Sequence, residues 1–174
     1  MPISILIATF FSIGFFVESV IGTGGGLLAY SFLGFFADIK EMILAGLFIG
    51  TCSSSYIVYT DHKSFNKELF IRTIPYCFFG TIIGVLIFSK FDVRILGVIL
   101  GALLIIISLK TIFFHKANLP KFLKNKLLFI GGVSHGSFGI GGPFVTNALR
   151  DDFKNKSDLR TTMAVYFVTF NFLR

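Results

Sequence analysis

Charged residues are scarce in this 174-residue chain, at 14% against 54% hydrophobic, where a soluble domain carries roughly a quarter charged. With a mean hydropathy of +0.83, that scarcity excludes an ordinary water-soluble surface and makes the chain an integral membrane protein. Cysteine is scarcer still. Cys52 and Cys77 stand apart in apolar segments, with no C-x-x-C pair, so neither a disulfide framework nor a metal site is expected. No Lys or Arg precedes the apolar run at Ile3, so the charged start of a cleaved secretory signal is missing. Neither glycine cluster described below is followed by Lys-Ser or Lys-Thr, which excludes the phosphate-binding loop of ATP-driven transport. Aromatic-flanked basic patches are missing too, so nucleic acid is set aside, and the net charge of +7 reads instead as membrane topology. Catalysis needs a convergent set of acid, base, nucleophile or metal ligands. Glu18 with His135 is too little, and neither enzyme activity nor a cofactor is expected.

What the chain does have is glycine in two clusters. Gly22-Thr23-Gly24-Gly25-Gly26 interrupts an apolar unit from Ile3 to Ala37, and Gly139-Ile140-Gly141-Gly142-Pro143 interrupts another from Leu127 to Leu149. Glycine inside a helix costs about 1 kcal/mol relative to alanine, so each cluster predicts a break, with the second half of each unit opening at Gly26 and at Pro143. Proline suits the first turn of a helix. An offset of 117 positions pairs Gly14 with Gly131, Gly22 with Gly139, Gly24 with Gly141 and Gly25 with Gly142 without gaps. The chain therefore reads as a duplication: residues 1–114 the first repeat, 115–126 a basic linker around Pro120, and 127–174 the second repeat. By the same offset, two further spans are expected beyond Arg174.

Between the clusters lie spans from Met42 to Thr60, Thr73 to Phe88 and Ile95 to Leu109, each near the length that crosses a bilayer. Gly14, Gly80, Gly84, Gly97 and Gly101 read as close-packing points between helices. Two topologies are open, one in which each glycine-broken unit crosses once and one in which it goes in and returns. Single crossings divide the interior Lys and Arg eight against seven, whereas returning units divide them twelve against three. The positive-inside bias favours return. An odd number of crossings per repeat then inverts the second copy, so the expected fold is an all-α integral membrane protein of two inverted repeats. Each carries a glycine-broken, re-entrant helix pair followed by transmembrane helices, a recurring design of secondary transporters.

An unwound glycine stretch exposes backbone N–H groups, and a helix starting there turns its positive end toward whatever sits in the break. The candidate substrate-binding residues are therefore Gly22, Thr23, Gly24, Gly25, Gly26, Ser134, Gly139, Gly141, Gly142 and Pro143. Ser137 and Ser53 to Ser55 are further hydroxyl donors, and Asn147, Asn171 and Tyr56 are weaker candidates for the lining. Glu18 is the one acid deep in an apolar run, and it aligns with His135 at the 117 offset. Intramembrane ionisable groups are expensive and usually functional, so the two are candidates for proton coupling or gating. The alternative is that both are satisfied buried polar groups. His62 and His115 read as solvated loop residues.

The cluster Gly22 to Gly26, a polar-ended second span leading to His62, and the run from Gly131 to Pro143 of the form G-x-x-S-x-x-x-x-G-x-G-G-P resemble the sulfite exporter TauE/SafE family of membrane permeases. His135 departs from that pattern, standing where a small residue is expected. The resemblance implies a secondary transporter of small sulfur-containing anions, such as sulfite or organosulfonates, in the cytoplasmic membrane. Its partners would be the anion and the lipid bilayer, with a homo-oligomer left open. The alternatives are a channel-like anion conduit and a partial chain that is inactive without further helices.

Overall fold

A computed structural model describes residues 3–21, 23–113, 120–153 and 155–174, so Gly22 and His115 lie outside the described residues. Among those described, every regular element is helical: α1 (Ile3–Ile21), α2 (Gly25–Leu33), α3 (Ile39–Asp61), α4 (Lys67–Lys90), α5 (Val93–Phe113), α6 (Lys121–Phe138), α7 (Gly142–Leu149) and α8 (Lys156–Phe172). Short 3-10 turns, His62–Ser64 and Arg150–Asp152, follow α3 and α7. A bilayer offers no water to unpaired backbone groups, and helices satisfy theirs internally. Three of these helices, Ile3–Ile21, Ile39–Ser64 with its 3-10 turn and Lys67–Lys90, are long and apolar enough to cross a membrane. Large apolar side chains such as Phe16, Phe35, Phe48 and Tyr59 are exposed around the outside. The all-α membrane fold is thus as expected.

The sequence puts the helix boundaries close to where they fall, with instructive differences. α4 begins at Lys67 because the Asn66 side chain accepts the Leu69 N–H at 3.1 Å and starts the helix ahead of its apolar run. α6 begins at Lys121, directly after Pro120, so the last part of the expected linker is the polar first turn of a helix. α2 and α7 open at Gly25 and Gly142, one residue before the expected Gly26 and Pro143.

Side-chain contacts fix the direction of each helix. Phe11 lies against Gly46 and Phe15 against Gly50, so α1 and α3 run the same way. α8 runs against α3, because Asp61 meets Ser157 while Thr51 meets Asn171. α4 runs with α8, through Asn66 to Thr162 and Thr73 to Tyr166. α6 runs with α4, and here the backbones touch: a Cβ on Gly80, Gly84, Gly132 or Gly136 would collide with the carbonyl oxygen of Phe129, Val133, Cys77 or Thr81 respectively. It follows that α1 and α6 run in opposite senses. Gly97 and Gly101 correct the packing expectation, since a Cβ at either would meet nothing within 4 Å.

Two apolar cores result. Ile7, Phe11, Leu33, Met42, Ile43 and Leu96 centre the first, on α1, α2, α3 and α5. Leu69, Cys77, Leu128, Leu149, Met163 and Tyr166 centre the second, on α4, α6, α7 and α8. A polar latch ties α8 to the end of α3. Asp61 accepts hydrogen bonds from Ser157, from Arg160 at 2.8 Å and from Thr161 at 3.1 Å on α8, and from Ser64 at 2.9 Å.

Candidate functional site

The first glycine cluster reverses the chain. α1 ends at Ile21, Gly24 takes a φ of 101°, and α2 sets off antiparallel to α1. That φ is in the left-handed region that favours glycine. The return leg packs so tightly that a Cβ on Gly14 or Gly25 would strike the other's backbone. Farther along, Phe11 meets Tyr30 edge to face and Phe10 stacks on Phe32. The second cluster does the same: Gly139, with φ 75°, donates its N–H to the His135 carbonyl at 2.7 Å and ends α6. α7 then returns along it, with Gly141 against Gly131 and His135. Each glycine-broken unit is therefore a helical hairpin, and neither continues straight on.

The two hairpin tips meet. The Tyr30 hydroxyl, on α2, donates to the Phe138 carbonyl at 2.7 Å. A Cβ on Gly142 would strike the Thr23 hydroxyl, and one on Gly26 would stand 3.1 Å from Ile140 Cγ2. Between the tips is a cavity of about 30 Å³, room for about two waters at 10–15 Å³ of probe-occupied space each. Its α3 wall runs from Gly46 through Gly50 to Ser54. α3 has 23 residues and is about 34 Å long at 1.5 Å per residue, so the cavity lies at the middle of a membrane-spanning helix.

Polar groups in this wall have defined partners. Glu18 Oε2 accepts the Gly25 N–H at 2.6 Å, so the chain's own carboxylate takes up an N-terminal amide of α2. The Thr51 hydroxyl donates to the Leu47 carbonyl at 2.7 Å and therefore accepts from Asn171 Nδ2 at 2.9 Å. That turns Asn171 Oδ1 to His135 Nε2, 2.9 Å away, which carries the proton. The imidazole also stacks on Phe167, with centroids 5.6 Å apart and planes 6° from parallel. Two buried polar atoms, Thr23 Oγ1 and His135 Nδ1, have no partner. Conversion of Tyr30 to Phe is expected to leave the Phe138 carbonyl unpaired and to cost about 1–3 kcal/mol. Thermal unfolding in detergent measures this, and an undiminished midpoint would show that the tips do not depend on this bond.

The sulfite exporter TauE/SafE family model matches residues 6–173. The chain belongs to the TauE/SafE family. No significant match is found among curated proteins or solved structures. A TauE/SafE protein is a membrane transporter, and the helices of this one have the length and apolarity that role requires.

Of the residues singled out in this TauE/SafE sequence, Glu18, Thr23, Gly24, Gly26, His135, Gly139, Gly142 and Pro143 line the central cavity. Gly25 and Gly141 lie behind it, in the hairpin contacts. Ser134 is spent on the Ile140 carbonyl at 3.2 Å and Ser137 on the Gly84 carbonyl at 3.1 Å. Of the serine triplet on α3, Ser54 alone reaches the cavity, and Asn171 joins it, while Asn147 is exposed. Glu18 and His135 line one cavity without a hydrogen bond between them. Tyr30, Phe11, Phe15 and Phe167 also line it. Sequence reasoning passed over these four because aromatic residues in apolar runs carry no mark of a site.

Proposed function

We propose that this TauE/SafE protein is a secondary permease for small sulfur-containing anions, such as sulfite or an organosulfonate, and that the anion is held where the two hairpin tips meet. The observation that carries this reading is the contact of the two glycine breaks around one mid-membrane cavity. Among the described residues no Lys or Arg lines that cavity, and Arg174 beside the second tip donates to the Ser137 carbonyl at 3.1 Å. An anion there would therefore rely chiefly on helix starts, backbone amides and hydroxyls such as that of Thr23. The opposite senses of α1 and α6, together with the 117-residue offset, support two inverted repeats. The water-sized volume of the cavity favours a carrier over an open conduit, since it must widen to admit an anion.

Flux of sulfite, sulfate, thiosulfate and a small sulfonate into proteoliposomes tests the proposal. Saturable flux of one of them is expected, with a loss of at least 100-fold in Gly142→Leu, whose side chain would strike the Thr23 hydroxyl where the tips meet. A folded protein that moves none of the four would overturn the substrate class.

A further inference from the structure

A second, larger space adjoins the central cavity. It is a groove of about 540 Å³ between α1 and α3, open to the outside of the protein, with Arg160 of α8 on its wall. Its lining includes Ser12 and Ser19 from α1 and Cys52, Ser53 and Thr60 from α3. The lining is mixed, since Phe15, Phe16, Ile49, Tyr56 and Ile57 stand among these hydroxyls. Polar side chains facing hydrocarbon are nonetheless expensive, and a row of hydroxyls at membrane level that ends at an arginine suits water. The Arg160 guanidinium is held 2.8 Å from Asp61, yet its Nε is buried without a partner.

Phe15 is the residue common to both linings. Its ring lies over Gly50, with Cζ 2.7 Å from where a Cβ would stand, and it stacks on Phe11 at 6.0 Å between centroids. Glycine at position 50 leaves the room that the ring occupies. On α3 the neighbouring serines divide between the two spaces, Ser53 lining the groove and Ser54, 3% exposed, lining the cavity. A single aromatic ring thus lies between the hydroxyl-bearing groove and the smaller mid-membrane cavity.

We propose that the α1–α3 groove is the aqueous vestibule of the central cavity and that Phe15 is the gate between them, admitting a small anion when its ring swings off Gly50. The proposal rests on the reading of the central cavity as the anion site. Its test does not, because thiol labelling needs no bound substrate.

The probe is a methanethiosulfonate reagent bearing a sulfonate, which is anionic and does not cross lipid, applied to the protein in proteoliposomes. Cys52 lies in the vestibule and Cys77 is fully buried, so Cys52 should react and Cys52→Ser should remove the reaction. In the Cys52→Ser background, Ser54→Cys should react slowly, and adding Phe15→Ala should speed it at least tenfold. Phe15→Leu, which keeps more of the packing, should speed it severalfold. Phe15→Ala with Cys52 in place should react at the parent rate, which checks that the fold persists. An unreactive Cys52 would overturn the vestibule. A Ser54→Cys rate indifferent to both Phe15 variants would overturn the gate. Absent flux with gated labelling would refute the substrate alone, and flux with ungated labelling would refute the gate alone.

Discussion

Gly136→Val is expected to abolish the folded protein. A Cβ at this position would collide with the Thr81 carbonyl oxygen and stand 2.9 Å from Val85 N and 3.0 Å from Gly84 Cα. Ordinary overpacking costs about 1–3 kcal/mol because side chains and backbone give way. Here both surfaces are backbone, so relief requires α4 and α6 to separate along the whole contact from Cys77 to Gly84. Native stability is only about 5–15 kcal/mol, and the loss of this interface consumes it. Gly97→Val is the matched control, since its Cβ enters open space. Size-exclusion profiles and thermal unfolding in detergent should show Gly136→Val aggregated or unfolded and Gly97→Val close to parent. A monodisperse Gly136→Val with a parental midpoint would disprove the close contact.

Glu18→Gln is expected to tighten anion binding on the order of 100-fold at neutral pH. The amide oxygen of glutamine can still accept the Gly25 N–H, so the local geometry is kept while the carboxylate's negative charge leaves the cavity wall. Two like charges about 5 Å apart repel by about 3 kcal/mol at an effective dielectric constant near 20, which sets that magnitude. The sign with pH follows. In the parent, falling pH protonates Glu18, removes the repulsion and strengthens binding, whereas in Glu18→Gln the affinity should be high throughout and its pH profile flatter. His135 lines the same cavity, so Glu18→Gln combined with His135→Ala tests whether the imidazole adds to the profile. Anion affinity measured against pH in proteoliposomes checks this, and profiles unchanged in both variants would sink the coupling role.

Much of the fold was legible because its strongest signals are steric. Glycine clusters at matching offsets marked both breaks, and the 117-residue offset holds at the ends of α1 and α6 and at the starts of α2 and α7. Inside the breaks it does not hold in detail. Gly14 packs on Gly25, whereas its counterpart Gly131 packs on Gly141, and Gly24 is left-handed at φ 101° where its counterpart Gly141 has φ −74°. A turn's path depends on the contacts it must clear, which spacing alone does not encode. The same limit explains Gly97 and Gly101: a glycine four residues from another fits close packing, but whether a neighbour is present is a tertiary fact. Of the candidate site, the cavity-lining glycines and the two ionisable residues were legible. Tyr30 and Phe15 were hidden because their roles arise only when α2 meets α6 and when α1 lies on α3.

The attachment of α8 to α3 has a mechanical side. The two are joined at Asp61, by a carboxylate accepting from three side chains of α8, and again at Thr51 through Asn171. Ten residues of helix, about 15 Å, separate these anchors. One anchor would leave a pivot; two that far apart make a strut, resisting both sliding and swivelling. Because the inner anchor continues to His135, the strut also fixes that imidazole relative to the centre of α3. Displacement of the second hairpin tip therefore pulls directly on a hydrogen-bonded chain that runs through Asn171 to the centre of α3.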